Sequence, residues 1–167
     1  MLNDCNTVHA IVSAAGGELV GKTRLQKIAF ILKAAGLSGS LSFRYHYYGP
    51  YSEDLAFEMK EALVDGLIEM EDRPASWGGT FTVFRSNVAC KVDGATQSIV
   101  DVACAYDSIA LELAATAAFL RKEMEEGYWE ETSRRKPQKA TPERISQAKD
   151  LWGKLLEVET PTPLPAI

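Results

Sequence analysis

At Gly66 the spacing of apolar residues along this chain changes from a period of 3.6 to a period of two, and few folds survive that change. Ahead of it, Leu55, Met59, Ala62 and Leu63 form one helical stripe after Ser52, a good capping residue, with Glu53 and Asp54 in the first turn. Beyond it, Ile68 and Met70 alternate with Glu69 and Glu71, and a second alternating run over 80–84 follows the loop DRPASWGG. Two alternating runs joined by a polar, glycine-containing loop predict a β-hairpin.

Two further helices are expected upstream. Val8, Ile11, Val12 and Ala15 recur at helical spacing from Asn3 to Ala15, and Gly16-Gly17 stops the pattern. From Lys22 to Ala35, Leu25, Ile28, Ala29, Phe30, Ile31 and Leu32 wrap most of the circumference, which predicts a central helix ended by Gly36. Phe43, Tyr45 and Tyr47 then alternate with Arg44 and His46 as a short extended segment, and Gly49-Pro50 is expected to turn the chain. Three helices followed by a hairpin have the pattern of a winged helix-turn-helix.

The second half reads as helical after a short strand over 88–92, VACKV. Ile99, Val102, Ala103 and Tyr106 return to helical spacing, and a long helix is expected from its cap at Asp107 to Glu126, closed by Gly127. Thr141 and Pro142 open a last helix, and the proline-rich end ETPTPLPAI is expected to be loose. The predicted class is therefore mainly α (α+β): a winged helix-turn-helix domain over 1–92, a C-terminal helical subdomain over 93–157 and a flexible tail over 158–167.

Composition narrows the functions. With 167 residues, 46% hydrophobic and 25% charged, the chain has enough apolar material for a core. A net charge of -5 and a pI near 5.1 argue against a surface given over to phosphate binding. Cys5, Cys90 and Cys104 are odd in number and contain no CxxC pair, so neither a disulfide framework nor a zinc cluster is expected. No apolar run reaches the roughly 20 residues of a membrane helix, and the first residues show no basic start followed by an apolar core, so neither a membrane span nor export is expected. The expected setting is the cytoplasm, with no membrane partner, no metal and no cofactor.

The segments GKTRLQKIAFIL, FRYHYYGPYSEDL, LVDGLIE and SIALELAATAAFL resemble the YwgA-like group of prokaryotic proteins over roughly the first 125 residues. Through LQK and the aromatic-x-YGP turn the chain is more distantly similar to the Panacea or SocA-like antitoxin domains, which bind partners in toxin and antitoxin pairs. The resemblance implies a winged-helix core, a partner-binding role and no catalytic residue.

Three constellations carry possible chemistry. GGELVGKT matches the phosphate-loop expression at Gly16, Gly21, Lys22 and Thr23. Such a loop needs a buried strand before it, whereas the residues before Gly16 read as a helix, so nucleotide binding stands as the weakest alternative. In the aromatic cluster, Phe43, Tyr45 and Tyr47 are expected to cover the core, leaving Tyr48 and Tyr51 as the exposed pair. Finally, 52–72 holds eight acidic residues against Lys60, while 134–154 holds seven basic residues against Glu143 and Asp150.

Carboxylates along the third helix would meet phosphates of their own sign in a DNA groove. The expected role is a non-catalytic regulatory or adaptor module that binds a protein partner through Tyr48, Gly49, Pro50, Tyr51, Glu53, Asp54, Glu58 and Glu61. The rival is a DNA-binding regulator acting as a homodimer, with nucleic-acid contact through Arg134, Arg135, Lys136 and Lys139. Neither His9 nor His46 has a ligand or catalytic partner at recognisable spacing.

Overall fold

The computed structural model describes residues 5–167, so the beginning of the first predicted helix, at Asn3, lies outside the described residues. Among those described, seven helices and two small antiparallel sheets make a mixed α/β protein. Helix α1 (Thr7–Ala14) is capped by the Asn6 side chain, which accepts from the Val8 and His9 amides. Strand β1 (Glu18–Val20) leads into α2 (Lys22–Ala34), buried continuously from Leu25 to Leu32. Strands β2 (Arg44–His46) and β3 (Gly49–Tyr51) pair with each other, Tyr45 opposite Pro50, and α3 (Glu53–Val64) follows under its Ser52 cap.

Strands β4 (Ile68–Pro74) and β5 (Thr80–Ser86) form the expected hairpin, and β1 adds to its other side to give the order β1-β5-β4. The remaining helices are α4 (Gly94–Cys104), α5 (Ser108–Leu120), α6 (Tyr128–Arg135) and α7 (Pro142–Leu156). No helix among the described residues is long and apolar enough to cross a membrane.

Several expectations need correction. The chain reverses at Tyr47-Tyr48, and Gly49-Pro50 lies in a strand; the carbonyls of β3, not its missing proline N–H, are what the neighbouring residues use. Residues 88–92 form no strand. The helix begun at Asp107 stops at Leu120, because the charged run after it gives no apolar face to bury, and Gly127 starts α6 so that Trp129 can pack inward. The proline-rich end is not loose: the Thr162 amide donates to the Ala35 carbonyl at 3.0 Å, Trp152 Nε1 donates to Pro165 O at 2.8 Å, and Leu164 is buried.

A single apolar core runs across the expected boundary at 92/93. Its centre is α5, whose five alanines let α2, α6, α7 and β3 approach closely. Glu112 is its only charged residue.

Cys5 and Cys90 are joined by a disulfide, contrary to the expectation from cysteine count. Spacing could not signal it, since the two lie 85 residues apart and meet only because α1 packs beside β5. Ser13 Oγ accepts from the Cys90 amide at 3.1 Å and the Ser86 amide donates to Gly17 O at 2.9 Å, which fixes the 86–90 segment against α1. A closed loop of this length restricts the unfolded chain by about 4–5 kcal/mol in the chain-entropy picture. Reduction, or Cys5→Ser with Cys90→Ser, should therefore lower the thermal midpoint substantially, read by melting with and without reductant; an unchanged midpoint would contradict the crosslink.

Candidate functional site

The LQK and YGPYS segments, twenty residues apart in sequence, form one latch. Gln26 uses its buried amide as a strand would use a peptide group: Nε2 donates to Ser52 O at 3.0 Å while Oε1 accepts from the Ser52 amide at 2.8 Å. Ser52 Oγ in turn accepts from the Leu55 amide at 3.2 Å, so α2 positions the first turn of α3. Lys27, 1% exposed, donates to Pro50 O at 2.7 Å. One turn of α2 thus holds both the hairpin and the helix after it.

Behind the hairpin lies a buried ionic cluster. Glu112 accepts from Lys139 Nζ at 2.8 and 3.2 Å and lies 3.8 Å from Lys136 Nζ, while Lys136 donates to Tyr47 O at 3.3 Å. Thr116, one turn along α5 from Glu112, has a buried hydroxyl without a hydrogen-bond partner. Gly49, with φ of +87°, sits against that hydroxyl and the Lys27 Cε. Three lysines therefore share one carboxylate.

Burial pushes the Lys27 pKa from 10.5 down to about 7, only partly opposed by Glu112 and reinforced by Lys136 and Lys139; burial lowers that of Lys136 as well. Between pH of about 7 and 10.5 the unfolded chain holds the Lys27 proton and the folded chain does not, so this residue adds stability as pH rises. Below pH of about 7 both states are charged and the burial cost is felt in full. Lys27→Met should accordingly gain stability relative to the wild type most at low pH, the difference shrinking as pH rises towards 10, as read by melting curves of the two proteins across that range. A pH-independent difference would contradict a titrating Lys27.

The residues expected to bind a partner separate into groups. Tyr51, Glu53 and Asp54 line a cavity of about 450 Å³ together with Ser42, Arg44, Tyr45 and His46. Asp54 also accepts from the Ser42 amide at 2.8 Å, and Glu58 accepts from the Thr7 amide at 2.8 Å and so braces the start of α1. Gly49 and Pro50 are buried in the latch, whereas Glu61 stays exposed. Tyr48 lies on the other side, under Lys139 Nζ at 4.8 Å from the ring centroid.

Tyr47, expected to cover the core, is 86% exposed because it forms the hairpin turn; Phe43 and Tyr45 do pack inward, against Phe30 and Phe119. Arg134 and Arg135 both bind Glu131, whose carboxyl they hold down at about 2, and Arg135 also lies 4.5 Å over the Tyr45 ring. Lys136 and Lys139 belong to the Glu112 cluster. The aromatic hairpin and the basic segment, which look unrelated in sequence, are thus one surface.

Two residues that sequence reasoning passed over stand out on α3. Phe57 is 62% exposed and Val64 86% exposed, and helical spacing sets them with Glu53, Lys60 and Glu61 on one outward face. The signal was present in the sequence, as apolar residues left over on the charged side of the helix. In GGELVGKT, the middle residues are strand β1, the preceding segment is helix α1, and the Gly21 amide donates to Thr82 O at 2.8 Å. Among the described residues no group of histidine, cysteine and carboxylate side chains is arranged to hold a metal ion.

No family model matches the chain, and no solved structure matches it. Over 50 residues it is 36% identical to the uncharacterized protein YwgA of Bacillus subtilis (strain 168), a stretch that is 30% of this chain and 30% of that protein. The comparison makes the chain YwgA-like over that stretch.

Proposed function

We propose that this chain is a winged-helix module that acts without catalysis, as a regulatory or adaptor protein of antitoxin-like kind, by binding a protein partner through the outer face of α3. The winged-helix reading is supported by the order α1-β1-α2-α3-β4-β5 and by a sheet in which β5 lies between β1 and β4. The insertion of β2 and β3 between the second and third helices is a departure that leaves this order intact.

One observation carries the functional reading: the outward face of α3, the helix that a DNA-reading winged helix would lay in the groove, bears Glu53, Phe57, Glu61 and Val64 with Lys60 as its one cation. Carboxylates there oppose phosphate, and exposed phenylalanine and valine suit a protein surface. Charge would orient the encounter, and the apolar pair would supply the buried area. The test is affinity capture with the intact chain and with the Glu53→Lys, Glu61→Lys double variant. Loss of the captured protein is expected from the double variant and from Phe57→Ser. Retention by both, or a salt-sensitive duplex complex abolished by altering α3, would overturn the reading.

A further inference from the structure

The partner that α3 calls for has a basic face carrying apolar rings, and the chain presents such a face beside α3. We infer that the partner is a second copy of this chain, each copy laying its α3 face on the other's β2–β3 and α6 surface about a two-fold axis. The inference rests on the reading that the outer face of α3 binds protein.

The receiving surface is built from Arg44, exposed on β2, Arg134, with its side chain 72% exposed on α6, and Arg135 and Lys139 lying over Tyr45 and Tyr48. Glu131 neutralises part of this charge. Tyr47, standing out at the hairpin turn, and the half-exposed Tyr48 supply the apolar area. On a chain with net charge -5, cations gathered around tyrosines match the mainly acidic face of α3, where Phe57 and Val64 stand with Glu53, Glu61 and Lys60. Charge of opposite sign therefore predominates on the two faces, acidic on α3 where Glu53 and Glu61 outnumber Lys60 and basic on the other where the four cations outnumber Glu131, each around an apolar centre.

Their placement favours a closed pair. The 450 Å³ cavity is their common border, with Arg44, Tyr45 and His46 on one side and Glu53 and Asp54 on the other. When complementary patches adjoin, one two-fold rotation brings acid onto base twice, once in each direction, and closes the assembly. Placed at opposite ends, they would instead build an open chain.

The test is sedimentation equilibrium of the full chain. Wild type should dimerise reversibly and more weakly as salt rises, because the screening length falls from about 10 Å at 0.1 M to about 3 Å at 1 M. Glu53→Lys with Glu61→Lys makes both faces basic, and Arg44→Glu with Arg134→Glu makes both acidic. Each variant alone should dimerise at least about tenfold more weakly, and an equimolar mixture should recover a one-to-one dimer, since both contacts again join opposite charges. A monomeric wild type, or a mixture no tighter than its components, overturns the inference. If wild type is monomeric while the α3 variant still loses its captured protein, only the identity of the partner falls. A wild-type dimer unaffected by either variant would remove the α3 surface from both readings.

Discussion

Glu112→Gln should destabilise the protein by about 3–5 kcal/mol, the cost expected when one partner of a buried ion pair, here with Lys136, is removed. Glu112 is 1% exposed, and its carboxylate is what Lys27, Lys136 and Lys139 share. Glutamine keeps the shape and removes the charge, leaving the buried Lys136 ammonium unpaired, the part-exposed Lys139 without its partner, and Lys27 without the carboxylate that favours its charged form. The loss is a large part of the 5–15 kcal/mol that holds a typical domain together. Urea unfolding should show a lower midpoint at unchanged slope. Adding Lys136→Met should recover part of the loss, because it removes one of the stranded charges, and the two effects should not add. A single variant within about 1 kcal/mol of wild type would show that the cluster is solvated, contrary to its burial.

The second large effect belongs to Gly49→Ala. The residue has φ of +87°, and a Cβ there would overlap the hydroxyl of Thr116, a fully buried residue. Left-handed backbone costs an alanine about 1–2 kcal/mol, and overpacking typically adds about 1–3 kcal/mol. The expected loss is therefore about 2–5 kcal/mol, together with faster hydrogen exchange across 47–51 as the hairpin lifts from Lys27 and Lys136. Thr116→Ala in the same chain should return the steric part and leave the backbone part. Gly49→Ala with stability and exchange unchanged would mean that the hairpin does not sit on α5.

These two residues also show where sequence reading succeeds and fails. Gly49 was conspicuous, because glycine before proline beside tyrosines marks a special backbone, yet its reason is a hydroxyl 67 residues further on. Glu112, the one charge in the apolar run of α5, is an anomaly that sequence reasoning passed over, and such charges need buried partners; Lys27, beside Arg24 and Gln26, gives no such signal. Which partners could not be read, since Lys136 and Lys139 reach Glu112 only through the turn after α6, a helix hidden by its charged composition. The basic run at 134–139 had the same difficulty. In one dimension it is a patch of cations; folded, it interlocks with Glu131, Glu112 and two tyrosine rings.

What depends on neighbours in the chain was determined by the sequence: the helices with their caps at Ser52, Asp107 and Thr141, the stop at Gly66, and the β4–β5 hairpin. Capping, glycine stops and apolar period act over a few residues and leave their marks there. Tertiary structure alone decided the Cys5–Cys90 link, the docking of 158–167, the hairpin turn at Tyr47-Tyr48, and the meeting of Gln26 and Lys27 with Ser52 and Pro50. Each joins groups separated by many residues, and their pairing is settled by which surfaces bury together and which buried polar atoms then find partners.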